Sequence, residues 1–341
     1  MLHRPVLSAL LLALTGSVAS AVTIEEFDLP NPHGVVTSLT RGPDGRMWFI
    51  EYDYTAFKAW LGRIDADGTN VVEFPLAYNA GPNTIAHIEG DDSIWFTETS
   101  AGLLGRSDVN GSIVFSPVPM GTSGPVGIAP GIGMKLVFTL SSGAIGTVNS
   151  DFSPVHIDTF PIPTGGANPL RVTTATTFLD YWFTEQGASK IARMTPDGDI
   201  HEFPLEKVGT YPLGITPGNT GRFWFTERTG NALGEIIDQG DLSYIVEHPL
   251  AAGTGPFEIA FGPDNHVWFT EVDSGKVGVV ANINGPIIEF MIPNANTNRH
   301  PAAIARGIGQ TVWFGEFAGG RIGRISDLYT IDPVFAAGFE R

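Results

Sequence analysis

The chain has no cysteine among its 341 residues, which excludes disulfide stapling, thiolate metal ligands and cysteine-based catalysis. Basic residues are scarce as well: 19 Lys and Arg stand against 36 Asp and Glu, a formal net charge of -17. Such a balance argues against nucleic-acid binding, which needs clustered cations to meet a phosphate backbone. It fits a protein kept in solution by self-repulsion, or one that attracts cations. Long apolar runs are missing too. The run Val6 to Leu14 is too short to span a bilayer; with Arg4 before it and Ala19-Ser20-Ala21 after it, residues 1–21 read as a signal peptide. The chain is therefore expected to be secreted or periplasmic, with no membrane span, and to be a monomer. His-Glu-x-x-His, Gly-x-Ser-x-Gly and a phosphate-cradling Gly-Lys-Ser/Thr are all absent.

What the chain does have is a repeat. An aromatic pair, usually followed by Thr and Glu, recurs at Trp48-Phe49, Trp95-Phe96, Trp182-Phe183, Trp224-Phe225, Trp268-Phe269 and Trp313-Phe314, with Val137-Phe138-Thr139 as a decayed seventh copy. The spacing of 42 to 47 residues is that of a propeller blade. Asp67-Gly68, Asn110-Gly111, Asp197-Gly198 and Asn284-Gly285 mark tight hairpins ahead of a fourth strand such as Val71-Val72-Glu73-Phe74-Pro75. No fourth strand follows Trp313, whereas Ile24-Glu25-Glu26-Phe27 stands near the N-terminus. The predicted fold is all-β: one seven-bladed β-propeller over residues 22–327, with four-stranded blades and the N-terminal strand closing the last one. Residues 328–341 form a C-terminal tail.

Five words recur in order: Pro212-Leu213-Gly214-Ile215, Gly42-Pro43-Asp44-Gly45, Trp95-Phe96-Thr97-Glu98, Gly323-Arg324-Ile325 and Glu202-Phe203-Pro204-Leu205. From about Ile24 to Ile325 this vocabulary resembles the streptogramin B (virginiamycin B) lyase family. The resemblance implies a carbon–oxygen lyase that opens a cyclic depsipeptide at its ester by elimination, with magnesium as cofactor. It also implies a base His in a Glu-Pro-His triplet opening the last blade. That Glu and the Glu closing the last Trp-Phe-x-Glu would hold the metal, and a His after Pro in the sixth blade would contact substrate.

Transferred position by position, Glu316 matches the metal-binding Glu. The triplet reads His300-Pro301-Ala302, and Phe257 stands where the substrate-contacting His belongs. His300 becomes the candidate replacement base, since an imidazole titrates near neutrality; His33 and His87 rank behind it. Phe257 and Glu271 are the candidate substrate contacts. Glu271 belongs to a ring of marker carboxylates (Glu51, Glu98, Glu185, Glu227, Glu271, Glu316) that strand alternation puts opposite the Trp residues, near one rim of the central channel. These carboxylates either attract a cation or clamp neighbouring backbone. Two functional classes stay open: a lyase-like enzyme acting on an ester or lactone, or a non-catalytic propeller binding a small molecule, glycan or protein at the channel rim.

Overall fold

The computed structural model describes residues 22–77, 80–118, 124–150, 156–175, 179–219, 221–281, 286–293, 300–317 and 319–328. Residues 1–21, which the sequence reads as a signal peptide, Asn284-Gly285 and the tail from residue 329 onward lie outside them. Seven four-stranded antiparallel sheets make up the fold. Blade 1 spans residues 35–75, blade 2 82–117, blade 3 125–161, blade 4 169–204, blade 5 212–249 and blade 6 256–291. Blade 7 joins β26 (Pro301–Arg306), β27 (Val312–Glu316) and β28 (Arg321–Ser326) to β1 (Thr23–Asp28), which pairs antiparallel with β28 from Thr23↔Ser326 to Asp28↔Arg321. The N-terminal strand closes the ring as the sequence predicts.

The repeat words have separate structural jobs. Consecutive residues in a strand face opposite sides, so each blade gives its marker Trp to one seam and its Phe to the other. Trp48 packs with Phe96, Trp95 with Phe138, Trp182 with Phe225, Trp224 with Phe269, Trp268 with Phe314 and Trp313 with Phe49. Val137 takes the Trp place against Phe183. These aromatic residues are core, as expected, with Trp48 and Phe49 fully buried. The Gly of Gly-Arg-Ile lies opposite the marker Phe on the third strand. A Cβ on Gly62, Gly105 or Gly323 would stand 2.0 to 2.2 Å from that ring.

The hairpin glycines also receive a ring. Phe27 lies on Gly68, Phe74 on Gly111 and Phe160 on Gly198, each Phe coming from the preceding blade. Those glycines have positive φ while Asp67, Asn110 and Asp197 do not; Gly68 N–H bonds the Asp65 carbonyl. Only the glycine of each dipeptide therefore needs the left-handed conformation.

Candidate functional site

The first strand of each blade is innermost and lines the channel, meeting the first strands of its neighbours. Each begins with a bulge: in blades 2 to 7 a Pro pairs with the last residue of the second strand, as in Pro256↔Glu271 and Pro301↔Glu316, and pairing resumes three residues later. Marker Thr residues fill that bulge. Thr226 Oγ1 accepts from Gly214 N–H at 3.0 Å and donates to the Phe257 carbonyl at 2.6 Å in the next blade. Thr97, Thr139, Thr184 and Thr270 repeat the pattern toward Val126, Leu170, Leu213 and Ala302. The backbone clamp between blades is thus carried by Thr.

The marker carboxylates are not on an open rim. Glu51, Glu185, Glu271 and Glu316 are fully buried, and Glu98 and Glu227 nearly so. Glu98 accepts Gly81 N–H and Ser100 N–H from its own blade. Glu271 accepts the Ser274 hydroxyl at 2.6 Å, and burial pushes it up to about 7, with Glu289 adding to the rise. Burial likewise raises Glu227 to about 7 and, with Glu202, Glu185 to about 8. Glu271 lies inside its sheet rather than on a surface a substrate could reach.

Phe257 is the second residue of the first strand of blade 6 and His300 directly precedes the first strand of blade 7, both half-buried. Phe257 meets the Phe317 ring edge-on at 5.5 Å, and the Arg228 guanidinium covers its face at 5.4 Å; such a contact contributes about 0.5–1 kcal/mol at an exposed site. Arg228 also stands 3.8 Å from Asp273. The His300 carbonyl accepts Phe317 N–H at 2.8 Å, while its Nδ1 is buried with no hydrogen-bond partner. Ala302 is 1% exposed and offers only a methyl group. Two of the predicted residues therefore share a contiguous patch, His300–Phe317–Phe257–Arg228, with Glu316 buried beneath it at the end of β27. His33 is exposed in the loop before blade 1. His87 follows the first strand of blade 2, with Nδ1 on the Ser93 carbonyl at 3.1 Å, at the far end of the channel.

Sequence reasoning missed Arg228 and Phe317, although each directly follows a marker Glu, the place where a side chain turns up into the loop. It also missed a network across the channel: Arg171 Nε lies 2.7 Å from Glu258 and its Nη1 3.2 Å from Asn83, joining blades 4, 6 and 2. Arg171 and Glu258 are each 15% exposed. An Arg–carboxylate pair this far shielded from water is costly to break and ties the first strands of blades 4 and 6 together. Cavities of about 330 and 220 Å³ lie on the outer wall, beside Phe203 and Tyr244 and beside Trp60 and Pro75.

Among the described residues no three His, Asp or Glu side chains converge on a metal. Magnesium favours hard oxygen ligands. One carboxylate, Glu316, and an imidazole at the other ligand position are a poor fit for it.

Residues 14–187 and 156–334 match the sequence profile of the virginiamycin B lyase family. The chain belongs to that family. The virginiamycin B lyase of Nocardia farcinica is 29% identical over 238 residues, 69% of this chain and 76% of that protein. A streptogramin B lyase structure superposes with a TM-score of 0.78 at 29% identity, covering 89% of this chain and 97% of the other. A catalytically inactive virginiamycin B lyase variant from Staphylococcus aureus, crystallised with quinupristin, gives 0.79 at the same identity, covering 89% and 99%. The WD40 repeats of RRP9, 10% identical with a TM-score of 0.69, share the propeller fold alone. By the positional transfer that the sequence resemblance implies, His300, Ala302 and Phe257 stand where the family words have Glu, His and His.

Proposed function

We propose that this chain is a ligand-binding propeller of the virginiamycin B lyase family that does not open streptogramin B antibiotics. The observation that carries the reading is Ala302: elimination needs a base within about 3 Å of the acidic C–H, and the position the resemblance gives to the base holds a buried methyl group. The substrate-contacting position is filled by Phe257, packed between Phe317 and Arg228. An aromatic floor under a guanidinium suits a small molecule or glycan that presents a ring and an acceptor.

The test is incubation of the chain lacking residues 1–21 with quinupristin, with and without magnesium, followed by chromatography. Elimination opens a ring without changing mass, so retention rather than mass reports it. Unchanged quinupristin under both conditions is the expected result; turnover would sink the reading. A second reading, a lyase with His300 as its base, is favoured by the buried, partnerless Nδ1 of that residue. It expects turnover that His300→Ala abolishes with the melting temperature unchanged. Gain of turnover in the triple variant Phe257→His, His300→Glu, Ala302→His would support the positional transfer on which both readings depend.

A further inference from the structure

Four blades contain a pair of carboxylates answered by a cation. Lys190 Nζ lies 3.1 Å from Glu202, the residue that faces Glu185. Lys276 pairs with Glu289, which faces Glu271. In blade 5 Lys207 favours the charged form of Glu227 against Glu247. In blade 7 Arg321 stands 3.7 Å from Glu26 of β1. Two further blades avoid the problem. Blade 3 has Leu140 and Thr159 at the two places. In blade 2 the outer position is Phe115, and Glu98 takes backbone N–H groups instead.

Blade 1 keeps both acids and lacks the cation. Glu51 lies on the second strand, two residues before its end at Asp53, and Glu73 lies on the outer strand, opposite Gly62. Trp60 is the strand partner of Glu51, where Lys190 partners Glu185 and Lys276 partners Glu271. Glu51 is fully buried, and neither of its oxygens has a hydrogen-bond partner; Glu73 Oε1 has none either. Asn31 favours the charged form of Glu51 but is shared with Asp53 and His33. Burial and the Glu73 carboxyl push Glu51 up to about 9. An unanswered buried carboxylate costs several kcal/mol by the general estimate for burying an ion, so near neutral pH the pair keeps a proton unless a cation takes its place.

We propose that a divalent cation of the calcium type binds between Glu51 and Glu73, in the role that lysine ammonium groups have in blades 4 and 6. Two carboxylates call for two positive charges, and calcium accepts irregular carboxylate geometry and completes its shell with water. Glu73 is half-buried, which opens a route from solvent. Two protein carboxylates are a sparse ligand set, so affinity belongs in the weak range, about 10⁻⁴–10⁻³ M.

The experiment uses the chain lacking residues 1–21, with calcium and terbium as probes. Calcium should raise the melting temperature of the wild type, and terbium should give a luminescence sensitised by Trp60 that calcium displaces. Glu73→Gln should lower terbium affinity at least about tenfold, the scale of losing a supporting group at a metal site. Trp60→Lys installs the internal cation; its melting temperature without calcium should equal or exceed that of the wild type, and calcium should no longer raise it. The proposal is overturned if calcium shifts nothing, which would leave a shared proton between the two carboxyls. It is equally overturned if the calcium shift survives both substitutions, or vanishes only in Glu316→Gln.

Discussion

At the scale of single residues, the repeat is conserved in space by one close contact, that of a Phe ring with the Cα of the glycine across from it. A Cβ at Gly234 would stand 1.9 Å from Cζ of Phe225, well inside any real contact. Blade 4 shows that the position tolerates a methyl group when its surroundings are built for one, since Ala192 pairs with Phe183 and both are fully buried. Gly234→Ala should therefore fold but force the ring aside, losing about 1–3 kcal/mol as overpacked cores do. Urea denaturation reads this as a lower midpoint with an unchanged slope; an unchanged midpoint would mean that the seam has slack the structure does not show. The same scale carries the proposed function. The side chain of Ala302 belongs to no packing contact of the repeat, so a family profile matches the chain whichever residue stands there.

At the scale of elements, the order of strands and the closure were legible in the sequence because both are written in repeated words whose count falls one outer strand short. The N-terminal strand contributes Ile24 and Phe27, with Leu29 just beyond it, all nearly buried, and ion pairs from Glu25 to Arg324 and from Asp28 to Arg321. Burying three such side chains stabilises by about 5–9 kcal/mol at about 1.5–3 each, which is comparable to a whole domain's stability of about 5–15 kcal/mol. Deleting residues 22–30 should then unfold the ring as a unit, seen as loss of near-ultraviolet circular dichroism; a truncated chain that melts where the full one does would end this account. Less legible was the depth of the marker carboxylates. Alternation gives the face and end of the strand correctly, yet Glu271 is sealed by Ser274 and faced by Glu289 from the outer strand, neighbours that only the blade brings together. Arg171 and Glu258 were illegible for a different reason. They lie 87 residues apart, on first strands whose bulges turn the third residue into the channel, and no repeat word records a pairing between non-adjacent blades.

At the scale of the whole molecule, the buried carboxyls couple stability to pH. Glu185 is raised to about 8, with Glu202 and Lys190 facing it; Glu227 is raised to about 7, facing Glu247 and Lys207; Glu271 is raised to about 7, facing Glu289, Lys276 and Ser274. In the unfolded chain each reverts to the ordinary glutamate value of 4.5. Between these limits the folded state holds protons the unfolded state has released, so raising the pH favours unfolding. The contribution is fully present below about 4.5 and is lost as the pH passes through 7 to 8. Carboxyls shifted the other way, such as Asp53, lowered to about 2 by the Thr55 hydroxyl and the Thr55 and Ala56 backbone N–H groups, lose their contribution only in acid and leave this window untouched. The melting temperature, measured at constant ionic strength with a chelator present, should fall from pH 5 to pH 8.5. Replacing Glu185 by Gln, which keeps the shape and removes the titration, should flatten the upper part of that fall. A melting temperature that is level or rises across the interval would mean that the lysines keep these carboxyls ionised, and that the charge pairs rather than bound protons hold the blades' upper ends together.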